Sequence, residues 1–249
     1  MSGHSKWATI KRKKAKVDAA RGVEFAKFSR EIMVATKLGG ADLSANFRLR
    51  TAVDKAKAAG LPNDNIKRAI EKASGAANNE NFEEITYEGY GPGGVAVFIE
   101  ALTDNRNRTA GDIRSYFNKN NGNLGENGCV GWIFKQEGII TIAKDGINQD
   151  ELFEKALEAG ATDFSDEEEE FKITTEPTEL QIVSEELQNA GYQLSSYEVT
   201  RTPQNSIEIT SEEDAKLLLR LLDSIESHDD VQNVYSNFDM DSDLYEKFA

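Results

Sequence analysis

Cationic side chains near the start of the chain are the residues whose type and spacing most directly indicate a chemistry. The first sixteen positions hold six basic residues, one tryptophan and no acidic residue; the seven are Lys6, Trp7, Lys11, Arg12, Lys13, Lys14 and Lys16. Lys and Arg at this density neutralise phosphate groups and release counterions, so each contact adds about 0.9 to the slope of log affinity against log salt on duplex DNA. The indole of Trp7 can stack on an unpaired base. These residues therefore predict a phosphate-binding arm.

A second interpretation of this arm stays open. Few apolar residues occur between residues 3 and 16 to hold the segment on a core, which predicts a mobile arm in the free protein. The same composition also fits a solvated basic helix with Trp7 packed on the domain that follows. Trp7 contacts a base in the first interpretation and protein in the second.

Two arginines further along the chain form a second candidate phosphate site. Arg106 and Arg108 belong to the segment 103–109, which joins a predicted strand to the N-terminus of a predicted helix. The positive end of a helix disfavours cations by roughly 0.3–1 kcal/mol each unless an anion is present. Guanidinium groups beside free backbone amides therefore predict a phosphate site. The alternative is that Asp104 or Glu100 pairs with these arginines in ordinary surface ion pairs.

The other residue patterns that suggest chemistry are weak. The glycine-rich stretch 89–94 lacks the Lys-Ser or Lys-Thr of a phosphate loop and precedes a strand, so we expect a tight turn between two strands. The acidic run 166–170 alternates between faces on an extended chain, which favours an exposed loop over a cation site. Cys129 and His228 lie far apart and lack a third, orienting residue. The sequence predicts no catalytic site, no metal and no cofactor.

Positive and negative charges are unequally distributed along the chain. The first 75 residues hold seventeen Lys and Arg against seven Asp and Glu, whereas the remaining 174 residues hold twelve against thirty-seven. A cationic domain beside an acidic body is typical of a protein that holds a polyanion, most directly nucleic acid, through one end. Because the acidic remainder repels nucleic acid, a protein partner on the acidic domains is a second expectation.

The composition also indicates the compartment. A single cysteine excludes an internal disulfide and fits a reducing environment. No apolar run approaches the roughly 20 residues of a membrane span. The basic N-terminus lacks the apolar segment of a secretory signal. We therefore expect a cytoplasmic protein that does not contact a membrane.

The basic third is predicted to be helical throughout. Apolar residues recur at three- and four-residue steps over 21–38, 46–59 and 63–74. Glycines end all three segments, and a proline precedes the third. Three short amphipathic helices predict a small bundle. None of them shows the compact helix-turn-helix layout with polar base-reading side chains, which argues against sequence-specific readout.

From about residue 81 the period of the apolar residues falls from 3.6 to 2, and strands alternate with helices. Between 139 and 200 the predicted order is strand, helix, strand, strand, helix, strand, the split ferredoxin-like arrangement. A second such set combines strand, helix and strand over 95–134, ending in a strand at 130–134, with strand, helix and strand over 207–238. We predict an α+β fold: an N-terminal three-helix bundle plus two ferredoxin-like α/β domains, one inserted in the other. The predicted domains are residues 1–80, residues 81–136 with 204–240, and the inserted residues 137–203.

Several motifs, in this order, closely resemble the YebC family of bacterial regulators, which is related to the mitochondrial translational activator of cytochrome oxidase. They are Gly3-His4-Ser5-Lys6-Trp7, Arg48-Leu49-Arg50, Pro62-Asn63-Asp64-Asn65-Ile66, Tyr87-Glu88-Gly89-Tyr90-Gly91-Pro92-Gly93-Gly94 and Thr103-Asp104-Asn105-Arg106-Asn107-Arg108-Thr109. The resemblance covers nearly the whole chain. It implies a helical bundle followed by two α/β domains, a cytoplasmic location and no enzymatic activity.

The resemblance leaves two functions open, because family members resemble either DNA-binding transcription regulators or translation factors that act at the ribosome. We expect a non-enzymatic, nucleic-acid-binding regulator of gene expression, with a DNA-binding transcriptional regulator as the first hypothesis. The alternative is a ribosome-associated translation factor that contacts ribosomal RNA through the basic arm. An RNA-processing enzyme would need acid–base residues that the sequence does not supply. Arg48 and Arg50 join the arm, Arg106 and Arg108 as predicted nucleic-acid contacts.

Overall fold

The helical third of the chain folds as three packed helices. A computed structural model of the protein describes residues 18–75 and 81–248. The helices are α1 (Asp18–Gly39), α2 (Phe47–Ala58) and α3 (Asn63–Ser74). The predicted bundle is therefore confirmed. Its core contains Ile32, Ala35, Leu49, Val53, Ala56, Ile66 and Ala69.

Asn46 holds the turn between α1 and α2. Its side-chain oxygen accepts a hydrogen bond from the backbone N–H of Leu49 at 3.0 Å and so caps α2. Its side-chain nitrogen donates to the carbonyl oxygens of Ala35 and Gly40, each at 2.8 Å. A Cβ at Gly39 would lie 2.6 Å from this amide. The glycine that ends α1 is thus also required by packing.

Strands and helices alternate in the rest of the described chain, as the change of period predicts. In chain order the elements are β1 (Glu83–Tyr90), β2 (Ala96–Thr103), α4 (Arg106–Lys119), β3 (Asn123–Leu124), β4 (Phe134–Ala143), α5 (Gln149–Ala159), β5 (Asp163–Asp166), β6 (Glu170–Thr175), α6 (Leu180–Asn189), β7 (Ser196–Pro203), β8 (Ile207–Ile209), α7 (Glu212–Glu226), β9 (Val231–Ser236), β10 (Phe238–Met240) and α8 (Ser242–Phe248). The α+β fold class is therefore confirmed.

The described chain forms two compact units, one over residues 135–202 and the other over the residues on either side. In the unit 135–202 the order is strand, helix, strand, strand, helix, strand, and the sheet order is β5-β6-β4-β7. The order of the elements along the chain is the one predicted for the inserted ferredoxin-like domain. The division of the other unit into a helical domain and an α/β domain stays a prediction.

The larger unit contains a second four-stranded sheet, with the order β3-β1-β2-β9. Strands β1 and β2 form a hairpin across the glycine-rich stretch 89–94, which confirms the predicted turn. Strand β9 pairs with β2 in antiparallel fashion. Because β2 is central, both of its faces are buried: Val97 and Ile99 pack with α4 and α7, and Ala96 and Phe98 pack with Val130, Ile133, Phe134 and Tyr235.

One predicted strand of this unit is absent, and another is present but lies in a different sheet from the expected one. The segment 130–134, predicted as a strand, is mostly the short 3₁₀ turn Gly131–Ile133 and covers the second face of β2. In the observed sheet β1 pairs with β2, and the predicted set omits β1. The strand Ile207–Ile209 exists, but it pairs in parallel with Phe238–Met240 in a separate two-stranded sheet.

Candidate nucleic-acid interface

The predicted arm lies outside the described residues. This applies to seven predicted contacts and to the predicted mobility of their segment: Lys6, Trp7, Lys11, Arg12, Lys13, Lys14 and Lys16. Their roles stay predictions. The described part of the basic third begins at α1.

Helix α3 presents cations on the side opposite its core face. Lys67, Arg68 and Lys72 are all exposed. Asp64 and Glu71 are exposed on the same helix, so its outer face carries both signs of charge. A nucleic-acid phosphate approaching this face meets three cations and two carboxylates.

Helices α2 and α3 are joined by the four residues 59–62. Gly60 in this turn has a φ of +85°, a conformation that favours glycine. Helix-turn-helix pairs are joined by turns of three or four residues, often with a glycine. The turn has this length, and the prediction that no helix shows a compact helix-turn-helix layout with polar base-reading side chains stays a prediction.

Arg48 lies where α1, α2 and β1 meet. Its guanidinium contacts the Glu31 carboxylate at 2.7 and 3.2 Å and the Glu84 carboxylate at 2.5 Å. Burial lowers the pKa of Arg48, but the hydrogen bonds and charges of Glu31 and Glu84 outweigh it and raise the pKa. Arg50, the second predicted contact on α2, has its guanidinium carbon 5.3 Å from the centroid of the Phe47 ring. Arg48 thus has a structural role at this junction, and the nucleic-acid contacts of both residues stay predictions.

The carboxylate of Asp230 connects four elements of the larger unit. Its Oδ1 accepts from Nη1 of Arg30 on α1 at 3.0 Å. Its Oδ2 accepts from Arg108 at 2.8 Å and from the hydroxyls of Thr103 at 3.0 Å and Thr109 at 2.7 Å. The side chain is only 2% exposed. A buried carboxylate of this kind is stable only because its oxygens are fully hydrogen-bonded.

Arg30 makes further contacts beside this carboxylate. Its Nη1 donates to the carbonyl oxygens of Leu102 at 3.2 Å and Asp229 at 2.5 Å. Its guanidinium carbon lies 4.9 Å from the centroid of the Phe82 ring. Lys27, one turn earlier on α1, donates to the carbonyl oxygen of Glu226. Helix α1 is therefore fastened to the end of α7 and the start of β9.

The surroundings of the Asp230 carboxyl favour its ionised form. Burial raises the pKa of this group, but the hydrogen bonds from Arg108, Thr109 and Thr103 and the charge of Arg30 outweigh burial and lower the pKa below its usual value. The negative charge of Asp230 in turn raises the pKa of Arg108 through their hydrogen bond. The two groups hold each other in their charged forms.

The structure separates the roles of the two predicted phosphate-binding arginines. Arg108 is bound to Asp104 and Asp230, each at 2.8 Å, so for this residue the alternative of an ion pair with Asp104 is present. Arg106 points elsewhere: its side chain is 65% exposed, and its nearest carboxylate is that of Glu83, 3.7 Å away. Their contacts with phosphate stay predictions, and the geometry leaves Arg106 the more accessible of the two.

Arg106 borders a groove at the N-terminus of α4. The groove has a volume of about 610 Å³, and its lining includes Glu83, Tyr87, Asn105, Arg106 and Asn127. Asn105 caps the helix by accepting from the backbone N–H of Arg108 at 3.1 Å. The groove is therefore polar and open to solvent beside an exposed guanidinium.

Local sequence patterns do not indicate the contact between Arg30 and Asp230. Asp230 lies 200 residues from Arg30 and 122 from Arg108 in the chain. One feature of the sequence does point to Asp230: an acidic residue lies directly before the apolar strand β9. A carboxylate at such a position is buried and therefore needs hydrogen-bond partners. That signal shows the need for partners but does not identify them.

Three further features bear on the kind of site. Within residues 18–75 and 81–248, no group of three or more His, Cys, Asp or Glu side chains is placed to hold a metal ion. In the same residues, no helix is both long and apolar enough to cross a membrane. The acidic run 166–170 covers the last residue of β5, the connection 167–169 and the first residue of β6.

Comparisons with known proteins cover almost the whole chain. Residues 5–76 match the family model for the N-terminal domain of TACO1/YebC proteins, and residues 82–238 match the model for their second and third domains. A probable transcriptional regulatory protein of Desulfotalea psychrophila is 53% identical over 249 residues, which is 100% of both chains. One from Geobacter sulfurreducens is 52% identical over 247 residues, 99% of both chains.

A solved structure has the same fold. The crystal structure of a conserved hypothetical protein from Aquifex aeolicus superposes with a TM-score of 0.79 and 46% sequence identity, covering 92% of this chain and 94% of that one. The two family models together span most of the sequence, and the relatives match it end to end. The chain therefore belongs to the TACO1/YebC family.

Proposed function

We propose that this protein is a cytoplasmic, non-enzymatic regulator of gene expression that binds nucleic acid through its basic N-terminal third. The observation that carries the proposal is the opposite charge of the two parts of the chain, seventeen basic against seven acidic residues in the first 75 and twelve against thirty-seven in the rest. A polyanion is attracted to the first part and repelled by the second. The relatives named as probable transcriptional regulatory proteins support a role in gene expression.

The first candidate target is duplex DNA. The four-residue turn between α2 and α3 supports it, because such a turn joins the two helices of many DNA-binding motifs. In this proposal the arm contacts phosphates through Lys11, Lys13 and Lys14, and α3 adds Lys67 and Arg68. The acidic remainder then contacts a protein partner.

The second candidate target is ribosomal RNA, which would make the protein a translation factor. The observation that favours it is the mixed charge of α3, where Asp64 and Glu71 accompany three cations. Carboxylates on a recognition helix repel the phosphates that flank a major groove. A basic arm that reaches into folded RNA, with Trp7 stacked on an unpaired base, does not need α3 to enter a groove.

Crosslinking the protein to nucleic acid in cells, followed by sequencing of the attached fragments, tests the proposal. Fragments dominated by promoter DNA support the transcriptional role. Fragments dominated by ribosomal RNA support the translational role and exclude the first. Recovery of no nucleic acid above the level of a variant with Lys11, Lys13 and Lys14 changed to Ala contradicts both.

A further inference from the structure

Two exposed aromatic side chains form a pair on the surface of the larger unit. Trp132 is 71% exposed and Tyr90 is 38% exposed. The indole Nε1–H of Trp132 and the phenol O–H of Tyr90 donate to the same oxygen, the backbone carbonyl of Cys129, each at 3.1 Å. The carbonyl oxygen of Cys129 therefore links the two side chains, and both are exposed to solvent.

Glu88 binds the backbone of the loop that carries Trp132. This buried carboxylate accepts from the backbone N–H groups of Gly128 at 2.8 Å, Val130 at 2.8 Å and Gly131 at 2.7 Å. Three charge-assisted hydrogen bonds to one side chain fix the loop in one conformation. The exposed indole is therefore positioned before any partner arrives, which lowers the entropy cost of binding.

Glycines allow the loop to close over this carboxylate. A Cβ at Gly131 would lie 3.3 Å from Oε2 of Glu88, and one at Gly125 would lie 2.6 Å from Sγ of Cys129. On the neighbouring strand, a Cβ at Gly89 would lie 2.6 Å from the carbonyl oxygen of Asn123. The motif Tyr87–Gly94 thus has a structural role. Its Glu88 holds the loop, its Gly89 leaves room for β3, and its Tyr90 shares the Cys129 carbonyl with Trp132.

Carboxylates outnumber cations in the part of the chain that carries the pair. Burial and the charges of Glu88 and Glu126 raise the pKa of the Cys129 thiol. In residues 82–134 and 203–248 together, nineteen Asp and Glu stand against seven Lys and Arg. A phosphate group is repelled from such a surface, whereas a cation is attracted to it. Indole is also the aromatic ring with the strongest cation–π attraction.

We propose that Trp132 and Tyr90 are a contact site for a basic segment of a partner protein, with an arginine or lysine side chain stacked on the Trp132 indole. Exposed Trp and Tyr side chains in fixed positions are typical of the residues that dominate protein–protein binding energy. The negative surroundings select a cationic partner over nucleic acid. The proposal stands independently of the nucleic-acid function of the arm.

Fluorescence of the full chain tests this site. The chain has two tryptophans, so in a Trp7→Phe background the emission reports Trp132 alone. Three probes are titrated: a peptide of alternating Gly and Arg, the same peptide with Gln in place of Arg, and a twelve-residue oligothymidylate. We expect a saturable change in emission with the arginine peptide only.

Variants distinguish a cation–π contact from general attraction to an acidic protein. We expect Trp132→Leu to weaken binding of the arginine peptide, measured by calorimetry, by about two- to fivefold, the range of an exposed cation–π contact. Trp132→Phe should retain most of the affinity. Phe153→Leu, a change at another half-exposed aromatic residue, should leave it unaltered.

Each contrary result overturns the proposal. If the arginine peptide leaves the Trp132 emission unaltered, or binds Trp132→Leu as tightly as the parent chain, its cations do not use this site. If oligothymidylate changes the emission as strongly as the arginine peptide does, the pair is a base-stacking site instead.

Discussion

Arg30 and Asp230 lie 200 residues apart in the chain, yet Nη1 of one is 3.0 Å from Oδ1 of the other. Arg30 belongs to the basic helical part and Asp230 to the acidic part. Their contact, together with the bonds from Arg30 to the carbonyl oxygens of Leu102 and Asp229, fastens the cationic helices to the sheet. The part proposed to hold nucleic acid is therefore joined to the rest by a set of contacts that includes one buried carboxylate.

Removal of this carboxylate should destabilise the protein strongly. We expect Asp230→Ala to lower the free energy of unfolding by about 3 kcal/mol, because breaking a buried pair leaves its partners without a counterpart. Urea denaturation of both proteins measures the difference. Asp104→Ala removes an exposed partner of the same Arg108 and should cost no more than about 1 kcal/mol. Equal effects of the two changes would show that Asp230 is not the connecting group.

The contribution of Asp230 to the free energy of unfolding should depend on pH. Its pKa is lowered in the folded protein, so the ionised carboxylate stabilises the fold fully above the unfolded value of about 3.9. As pH falls below about 4 this stabilisation should decline, because the unfolded chain binds the proton first. The difference in unfolding free energy between the parent chain and Asp230→Asn should therefore narrow between pH 4 and pH 2. A difference that is constant over this range contradicts the assignment.

The helices could be predicted from the sequence because local signals mark their ends. The prediction for α3 has the observed bounds, since Pro62 precedes it and Gly75 follows it. The segment 130–134 resembles a strand in sequence because its apolar residues are buried, as those of a strand would be. The amides of Val130 and Gly131 in this segment, together with that of Gly128, instead bind Glu88, about forty residues earlier. Likewise, nothing near Arg108 in sequence indicates that Asp230 holds its guanidinium.

The two arginines of the candidate phosphate site should respond differently to substitution. We expect Arg108→Gln to destabilise the protein, because it removes a hydrogen bond to buried Asp230. We expect Arg106→Gln to leave the melting temperature within about 2 °C of the parent value and to weaken binding to an oligonucleotide, since this side chain is mostly exposed. Thermal denaturation and fluorescence anisotropy provide the two measurements. If Arg106→Gln binds the oligonucleotide as tightly as the parent chain, the predicted phosphate contact at this position is absent.

The stability of the loop that carries Trp132 should depend on the charge of Glu88. We expect Glu88→Gln to lower the free energy of unfolding by about 2 kcal/mol, because an amide cannot accept all three hydrogen bonds and introduces a donor facing other donors. In the Trp7→Phe background, the emission of Trp132 should also change as the loop loosens. Glu126→Gln, at an exposed position of the same loop, is the matched control and should change stability by less than about 0.5 kcal/mol. Equal stability of the two variants would show that Glu88 does not stabilise the loop.

The salt dependence of nucleic-acid binding by the full chain tests the central claim most directly. The affinity for a duplex DNA and for a ribosomal RNA fragment is measured between low and moderate salt, for the parent chain and for a variant with Lys11, Lys13 and Lys14 changed to Ala. We predict that the slope of log affinity against log salt on DNA becomes shallower by about 2.7, since each lost phosphate contact removes about 0.9. Changing Lys119 and Lys216, exposed residues of the acidic part, to Ala should not alter the slope. An unaltered slope in the arm variant would contradict the claim that the N-terminal arm holds the phosphates.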